Sequence, residues 1–301
     1  MTSKSEIPLI DHKNSIEFHF GHIKWKAFNK DRRIFHINKL EEYRDKIRFP
    51  LPPHRKQVYD FIFLTNGKSV RYKGLNKYEI TKNQFFFLPP FQITSHESMS
   101  KNASGYFLHF DVEIFASCNL HHELEKYPFL NFISNPLVSI SSPAVVPILN
   151  ILQRLEKLYK SHRLPDHRKL AFYILSLLEE VVSCMQIKTE SKKQSSVVIT
   201  QQYQDLLSRY IYQKNQVSDF ANMLHVTPNH LNKCVKNTTG KTAQTLLNEM
   251  VLLEAKSLLH YSHLTIAEIA DKLSNKSPSN FTRFFKSMTG QSPKEYLHTA
   301  N

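Results

Sequence analysis

The chain has 301 residues, enough for two domains with separate hydrophobic cores. No apolar run approaches the roughly eighteen residues of a membrane span, and Met1-Thr2-Ser3-Lys4-Ser5-Glu6 has neither the apolar core nor the cleavage site of an export signal. A formal net charge of +14 and a pI near 9.5 favour a polyanionic partner.

That charge does not point to one place: residues 1–60 carry +5, residues 61–199 carry +5 and residues 200–301 carry +4. Cys118, Cys184 and Cys234 are odd in number, far apart and without metal-ligand spacing, which reads as reduced thiols in a cytoplasmic protein.

In chain order, residues 1–50 alternate aromatic and basic side chains, as in Glu17-Phe18-His19-Phe20 and Lys24-Trp25-Lys26, and predict short strands of an all-β domain. Lys30-Asp31-Arg32-Arg33 reads as a solvated turn rather than a nucleic-acid patch. From Pro52 the pattern sharpens. Tyr59-Asp60-Phe61-Ile62-Phe63-Leu64 is a buried strand closed by Asn66-Gly67, a strong turn signal. Further strands are predicted at residues 69–72, 78–80, 85–88 and 105–111, and such short strands with frequent turns imply a barrel or jelly roll.

Histidines in this region give no metal site. His54 stands alone, His121 and His122 would point apart on a helix, and His109 in its aromatic strand reads as a hydrogen-bonded core residue. No Ser/His/Asp or Cys/His spacing and no phosphate loop is present, so neither catalytic residues, nor a metal, nor a cofactor is expected.

Two amphipathic helices follow. Ile148, Leu152, Leu155 and Tyr159 step by 4, 3 and 4, and after Pro165 the residues Leu170, Ile174, Leu177, Val181 and Cys184 step by 4, 3, 4 and 3. The second stripe reads equally as a homodimer seam or as a face packed on the barrel. The polar run from Lys188 to Ser196 is a domain linker. Tyr203, Leu206, Leu207, Tyr210 and Ile211 then share one helical face.

The last hundred residues contain a repeat. Thr227-Pro228-Asn229-His230-Leu231-Asn232-Lys233 matches Ser277-Pro278-Ser279-Asn280-Phe281-Thr282-Arg283 at an offset of 50, and Thr239-Gly240-Lys241-Thr242-Ala243 matches Thr289-Gly290-Gln291-Ser292-Pro293 at the same offset. A hydroxyl residue before proline suits an N-cap with Pro at the first helical position. Each short helix would bury Leu231 or Phe281 and expose its polar residues. Ahead of each copy lies a shorter amphipathic stretch, beginning near Ser218 and Thr265, both plausible caps; Ala221 and Ala270 in these stretches are small enough for a crossing helix.

Helix, tight turn, helix, twice, with a helical connector from Thr242 to His260, resembles the DNA-binding domain of AraC/XylS-type transcription regulators over residues 200–301. Pro53-His54-Arg55, the Asn66-Gly67 turn and Phe87-Leu88-Pro89-Pro90-Phe91-Gln92 resemble, more loosely, the cupin-type sensor of the same regulators. The chain departs from the pattern at Ser274-Asn275 (usually Gly-Phe), at Val251 and at Lys233 (often arginine).

The resemblance implies a multi-domain α+β protein: a cupin-like β-barrel with flanking helices at residues 1–140, a helical dimerisation segment at 141–187, a linker at 188–198, and an all-α domain with two helix-turn-helix units at 199–301. It implies double-stranded DNA, a small-molecule effector, a second copy of the chain and RNA polymerase as partners, with activation and repression both open. Side chains expected at base edges or phosphates are Asn229, His230, Asn232, Lys233 and Lys236 on the first recognition helix, and Ser279, Asn280, Thr282, Arg283 and Lys286 on the second. Two competing classes are an enzyme whose cupin barrel does chemistry beside an accessory nucleic-acid-binding domain, and a non-specific DNA-coating protein.

Overall fold

The computed structural model describes residues 7–10, 18–19, 34–74, 76–116, 118–131, 134–161, 166–185, 194–262, 264–274 and 277–299. Its contacts divide the chain into two compact units, residues 9–189 and residues 190–301 together with the first eight residues.

The first unit contains strands β1 (Leu9–Ile10), β2 (Phe35–Lys39), β3 (Leu51–Lys56), β4 (Tyr59–Asn66), β5 (Ser69–Lys73), β6 (Asn76–Ile80), β7 (Gln84–Leu88), β8 (Thr94–Met99), β9 (Ser104–Phe110) and β10 (Leu137–Ser139). They form two five-stranded sheets, ordered β1-β3-β8-β5-β6 and β10-β7-β4-β9-β2. Most neighbours are not consecutive in the chain, β5–β6 being a hairpin among the described strands. The Asn66-Gly67 turn carries the chain from β4 in one sheet to β5 in the other; Gly67 has φ +78°, and a Cβ there would lie 2.6 Å from the Ala103 Cα.

All five strands expected from residue 59 onward are present. β3, β8 and β10 were not expected; β3 and β8 lack apolar alternation because their buried side chains include His54, Lys56, Thr94 and His96. The strand expectation for residues 17–26 is not met at Phe18 and His19, which are helical. The rest of that stretch, and Lys30-Asp31-Arg32-Arg33, lie outside the described residues.

β4 is buried on both faces, as a continuous apolar run requires. Phe61 and Phe63 join Phe85, Phe87, Leu108 and Phe110 in a core shared with the helices. Ile62 and Leu64 turn the other way, into a smaller cluster with Leu40, Ile80, Phe86 and Leu88.

The helices of this unit are α1 (Glu113–Ala116), α2 (Ser142–Lys160) and α3 (His167–Ser183). Asp166 caps α3 by accepting the Arg168 N–H at 2.9 Å. Leu170, Ile174, Leu177 and Val181 are each 0–1 % exposed and belong to the same core as Phe61 and Phe87. This corrects the dimer-seam expectation: burying each of these side chains is worth roughly 1.5–3 kcal/mol, and the unit itself realises that gain. His109 on β9 is only half-buried, its ring 5.3 Å from that of His36. The side chains of His121 and His122 lie outside the description.

The second unit comprises α4 (Gln194–Tyr210), α5 (Val217–Met223), α6 (Pro228–Thr239), α7 (Ala243–Tyr261), α8 (Ile266–Ser274), α9 (Pro278–Thr289) and α10 (Pro293–Thr299). Because α4 starts at Gln194, the last residues of the expected linker, 194–198, are helical. Tyr203 anchors the unit: it is fully buried, donates its hydroxyl to the Ala243 carbonyl at 2.9 Å and meets the Phe220 ring edge-on at 5.6 Å. Leu246, Leu247, Val251 and Leu258 bury one side of α7. The buried Glu254 on that helix accepts a hydrogen bond from the Tyr212 hydroxyl at 2.6 Å. Among the described residues no helix is long and apolar enough to cross a membrane.

Candidate nucleic-acid interface

Helices α6 and α9 are equal in length and offset by 50 residues, and both have the same termini. Thr227 Oγ1 accepts from the His230 N–H at 3.2 Å, and Ser277 Oγ accepts from the Asn280 N–H at 3.4 Å. Pro228 and Pro278 occupy the first turn, where a missing N–H costs nothing. At the other ends Gly240 (φ +74°) and Gly290 (φ +80°) close the helices in the left-handed region. Thr239 and Thr289 then each accept the N–H two residues on, at 3.2 Å. Two sequences with few shared side chains thus build the same helix twice.

The preceding helices start differently. Thr265 and Glu268 form reciprocal capping bonds ahead of α8. On α5 the cap is Gln216, paired with Asp219, and not Ser218 as expected; Ser218 falls inside the first turn, two residues too late to cap. In the turn from α5 to α6, His225 takes positive φ, +54°, where a glycine would be the unstrained choice. The corresponding Asn275 lies outside the described residues.

Each helix has one buried side: Leu231, Cys234 and Val235 on α6, Phe281 and Phe285 on α9. The opposite side is exposed and polar. Asn229, His230, Lys233 and Lys236 project from α6, and Ser279, Asn280, Arg283 and Lys286 from α9. Thr282 is half-buried. Asn237 and Ser287, which the sequence reading passed over, extend the two faces by one more matched pair.

Asn232 does not belong with these. It is half-buried, and its Oδ1 accepts the Ala243 N–H at 3.0 Å, tying α6 to the start of α7. That N–H is among the first four of α7, which have no intrahelical acceptor, and Ala243 is fully buried. The carboxamide therefore does structural service rather than facing a base edge. Two further contacts shape the outer face: Arg283 Nη2 donates to Asn280 Oδ1 at 3.1 Å, and His230 Nε2 lies 3.6 Å from Cys234 Sγ. Spacing of three and four residues was the available signal for both.

Chemically, these faces offer donors for phosphate oxygens and guanine O6/N7 (Lys233, Lys236, Arg283, Lys286) and carboxamides for adenine N6/N7 (Asn229, Asn280). Among the described residues no group of three or more His, Cys, Asp or Glu side chains could hold a metal ion.

A family model described as a helix-turn-helix domain matches residues 220–299. Over 252 residues, 79% of this chain and 85% of the relative, the sequence is 21% identical to the uncharacterized HTH-type transcriptional regulator YisR of Bacillus subtilis. It is 28% identical over 90 residues to another such regulator of that bacterium, YobQ, covering 37% of it. Among solved structures, the C-terminal domain of AraT, a response regulator from Geobacillus stearothermophilus, aligns with 34% of this chain and 84% of its own at 25% identity and a TM-score of 0.32. ToxT from Vibrio cholerae aligns with 88% of this chain and 98% of its own at 15% identity and a TM-score of 0.40. Residues 220–299 thus form a DNA-binding helix-turn-helix domain. The helix-turn-helix domain is of the AraC type, and the relatives that the chain resembles are named HTH-type transcriptional regulators.

Proposed function

We propose that the protein binds specific operator sequences through two helix-turn-helix units, α5–α6 and α8–α9, with α6 and α9 as recognition helices. The connecting helix α7 would hold them about one DNA turn (~34 Å) apart, so that one chain reads two successive major grooves. The first unit is read as a cupin-like barrel that binds a small-molecule effector and adjusts DNA binding. A homodimer belongs to this reading, through surfaces other than the Leu170–Val181 stripe. RNA polymerase is its partner at promoters.

The observation that carries the proposal is the duplicated helix: the same hydroxyl cap, proline, buried aliphatic or aromatic residue and left-handed glycine, with a polar outer face both times. Selection of bound fragments from random double-stranded DNA, followed by footprinting, tests it. A motif with two half-sites about one turn apart is the expected result. Equal affinity for selected and random DNA at physiological salt would sink the proposal in favour of non-specific coating.

A further inference from the structure

Between the two sheets of the first unit lies a polar cluster that DNA binding does not use. On β5 the buried residues are Ser69, Arg71 and Lys73, alternating with half-exposed Val70 and Tyr72. This is the alternation of a strand facing an interior, with cations where apolar side chains are the rule. Register places His96 of β8 beside Arg71, and Thr94 beside both Lys73 and His54 of β3. From the other sheet, Asp60 on β4 reaches across. Its Oδ2 accepts from Lys56 Nζ at 2.7 Å, and its Oδ1 lies 3.7 Å from Arg71 Nη1.

The charges do not balance. Among the described residues Lys56 and Arg71 face a single carboxylate, Asp60, and Arg71 cannot shed its proton. Burial works to raise the Asp60 carboxyl, but the two cations beside it outweigh burial and hold it below its ordinary value, so it stays ionised. Lys73 brings no carboxylate with it, donating instead to the Asn131 and Ser134 carbonyls at 2.9 and 2.8 Å.

Nor are the hydrogen bonds complete. Arg71 Nε and Nη1, Asp60 Oδ1 and His54 Nε2 are buried and make no hydrogen bond, the Asp60–Arg71 ion pair at 3.7 Å being too long for one. His54 is fully buried; its Nδ1 donates to the Pro52 carbonyl at 2.8 Å, which leaves Nε2 as an acceptor. Burial, first of all, keeps both His54 and His96 well below the usual histidine range, hence neutral. Buried guanidinium N–H groups without acceptors are rare in folded proteins and call for an explanation.

We propose that this polar cluster, at Arg71 and His54, binds a compact hydroxy acid: its carboxylate accepts from Arg71 and offsets the charge excess among the described residues, and its hydroxyl donates to His54 Nε2. Arg71 and Lys56 lie over the Phe86 and Phe107 rings, 5.3 and 4.8 Å from their centres, which hold the cations in place from the opposite sheet. Beyond them Ile62, Leu64, Ile80 and Leu88 pack into an apolar cluster. The inference sharpens the effector reading, and depends on it for the regulatory consequence though not for binding.

The test is thermal unfolding and calorimetry of the full chain with glycolate and glycerate, against acetate, ethylene glycol, glycerol and chloride at matched ionic strength. The hydroxy acids should raise Tm progressively with concentration and bind one per chain, and the neutral diol and triol should not. Arg71→Gln leaves the Lys56–Asp60 pair intact, so it should fold as stably as the wild type in chloride. Its hydroxy-acid affinity should fall on the order of tenfold to a hundredfold. His54→Ala should erase the preference for glycolate over acetate while keeping acetate binding. No Tm rise beyond chloride, equal rises with the neutral compounds, or unchanged binding in Arg71→Gln would each overturn the proposal and leave a cluster satisfied by water alone. DNA affinity measured with and without glycerate separates the two readings. Acid binding that leaves DNA affinity unchanged keeps the anion site and removes the sensor role; a neutral compound that alters DNA affinity with no acid binding does the reverse.

Discussion

Replacing Asn232 by alanine separates the two roles open to a polar residue on a recognition helix. The side chain supplies the Oδ1 that accepts the Ala243 N–H at 3.0 Å, at a fully buried position. Removing it strands a buried donor, which costs roughly 1–3 kcal/mol. For a unit of about a hundred residues that corresponds to a fall in Tm of about 4 °C per kcal/mol, hence about 4–12 °C. Asn232→Asp keeps an acceptor in place and should retain most of the stability. Melting curves of the three proteins, followed by binding titrations on a selected operator and on random DNA, give the answer. In Asn232→Ala the ratio of specific to random affinity should be unchanged. A Tm within about 1 °C of wild type, combined with relaxed base choice at one position, would refute the structural assignment and return Asn232 to the DNA-reading set.

Other outcomes follow from the same geometry. Arg283→Ala should cost roughly 1–3 kcal/mol on the operator and relax base choice at one position, whereas Lys286→Ala should weaken all DNA alike and reduce the salt slope by about one, both read from titrations over a range of salt. Leu177→Glu or Val181→Glu buries an unpaired charge in the core of the first unit at a cost of several kcal/mol, so insoluble or unfolded protein is expected rather than folded monomers on light scattering. Burial lowers Lys73 from its usual value to about 7. Between that value and the unfolded lysine pKa near 10.5 the unfolded chain holds the extra proton. The cost of the buried charge, full below pH 7, is therefore relieved as pH rises, and stability should climb from pH 7 to 9 by up to about 1.4 kcal/mol per unit. Lys73→Met should flatten that climb in denaturant titrations at each pH.

Local signals carried the C-terminal unit. Caps, prolines and αL glycines act within one turn of a helix, so Thr227-Pro228 and Ser277-Pro278 announce α6 and α9 without reference to anything distant. The same holds for β4 and β7, whose apolar runs leave little choice but a buried strand. Where a side chain faces two uses, periodicity cannot choose. The stripe Leu170–Val181 fits a dimer seam and a core equally, and the surrounding Phe61, Phe87 and Leu152 decided for the core. Asn232 has the spacing of an outward residue, yet an N–H eleven positions further along the chain turns it inward. β3 and β8 escaped detection because their buried side chains are histidine, lysine and threonine. Only the meeting of two sheets, with Asp60 brought against Lys56 and Arg71, makes such residues interior, since a buried charge is tolerable only beside the partner that tertiary structure supplies.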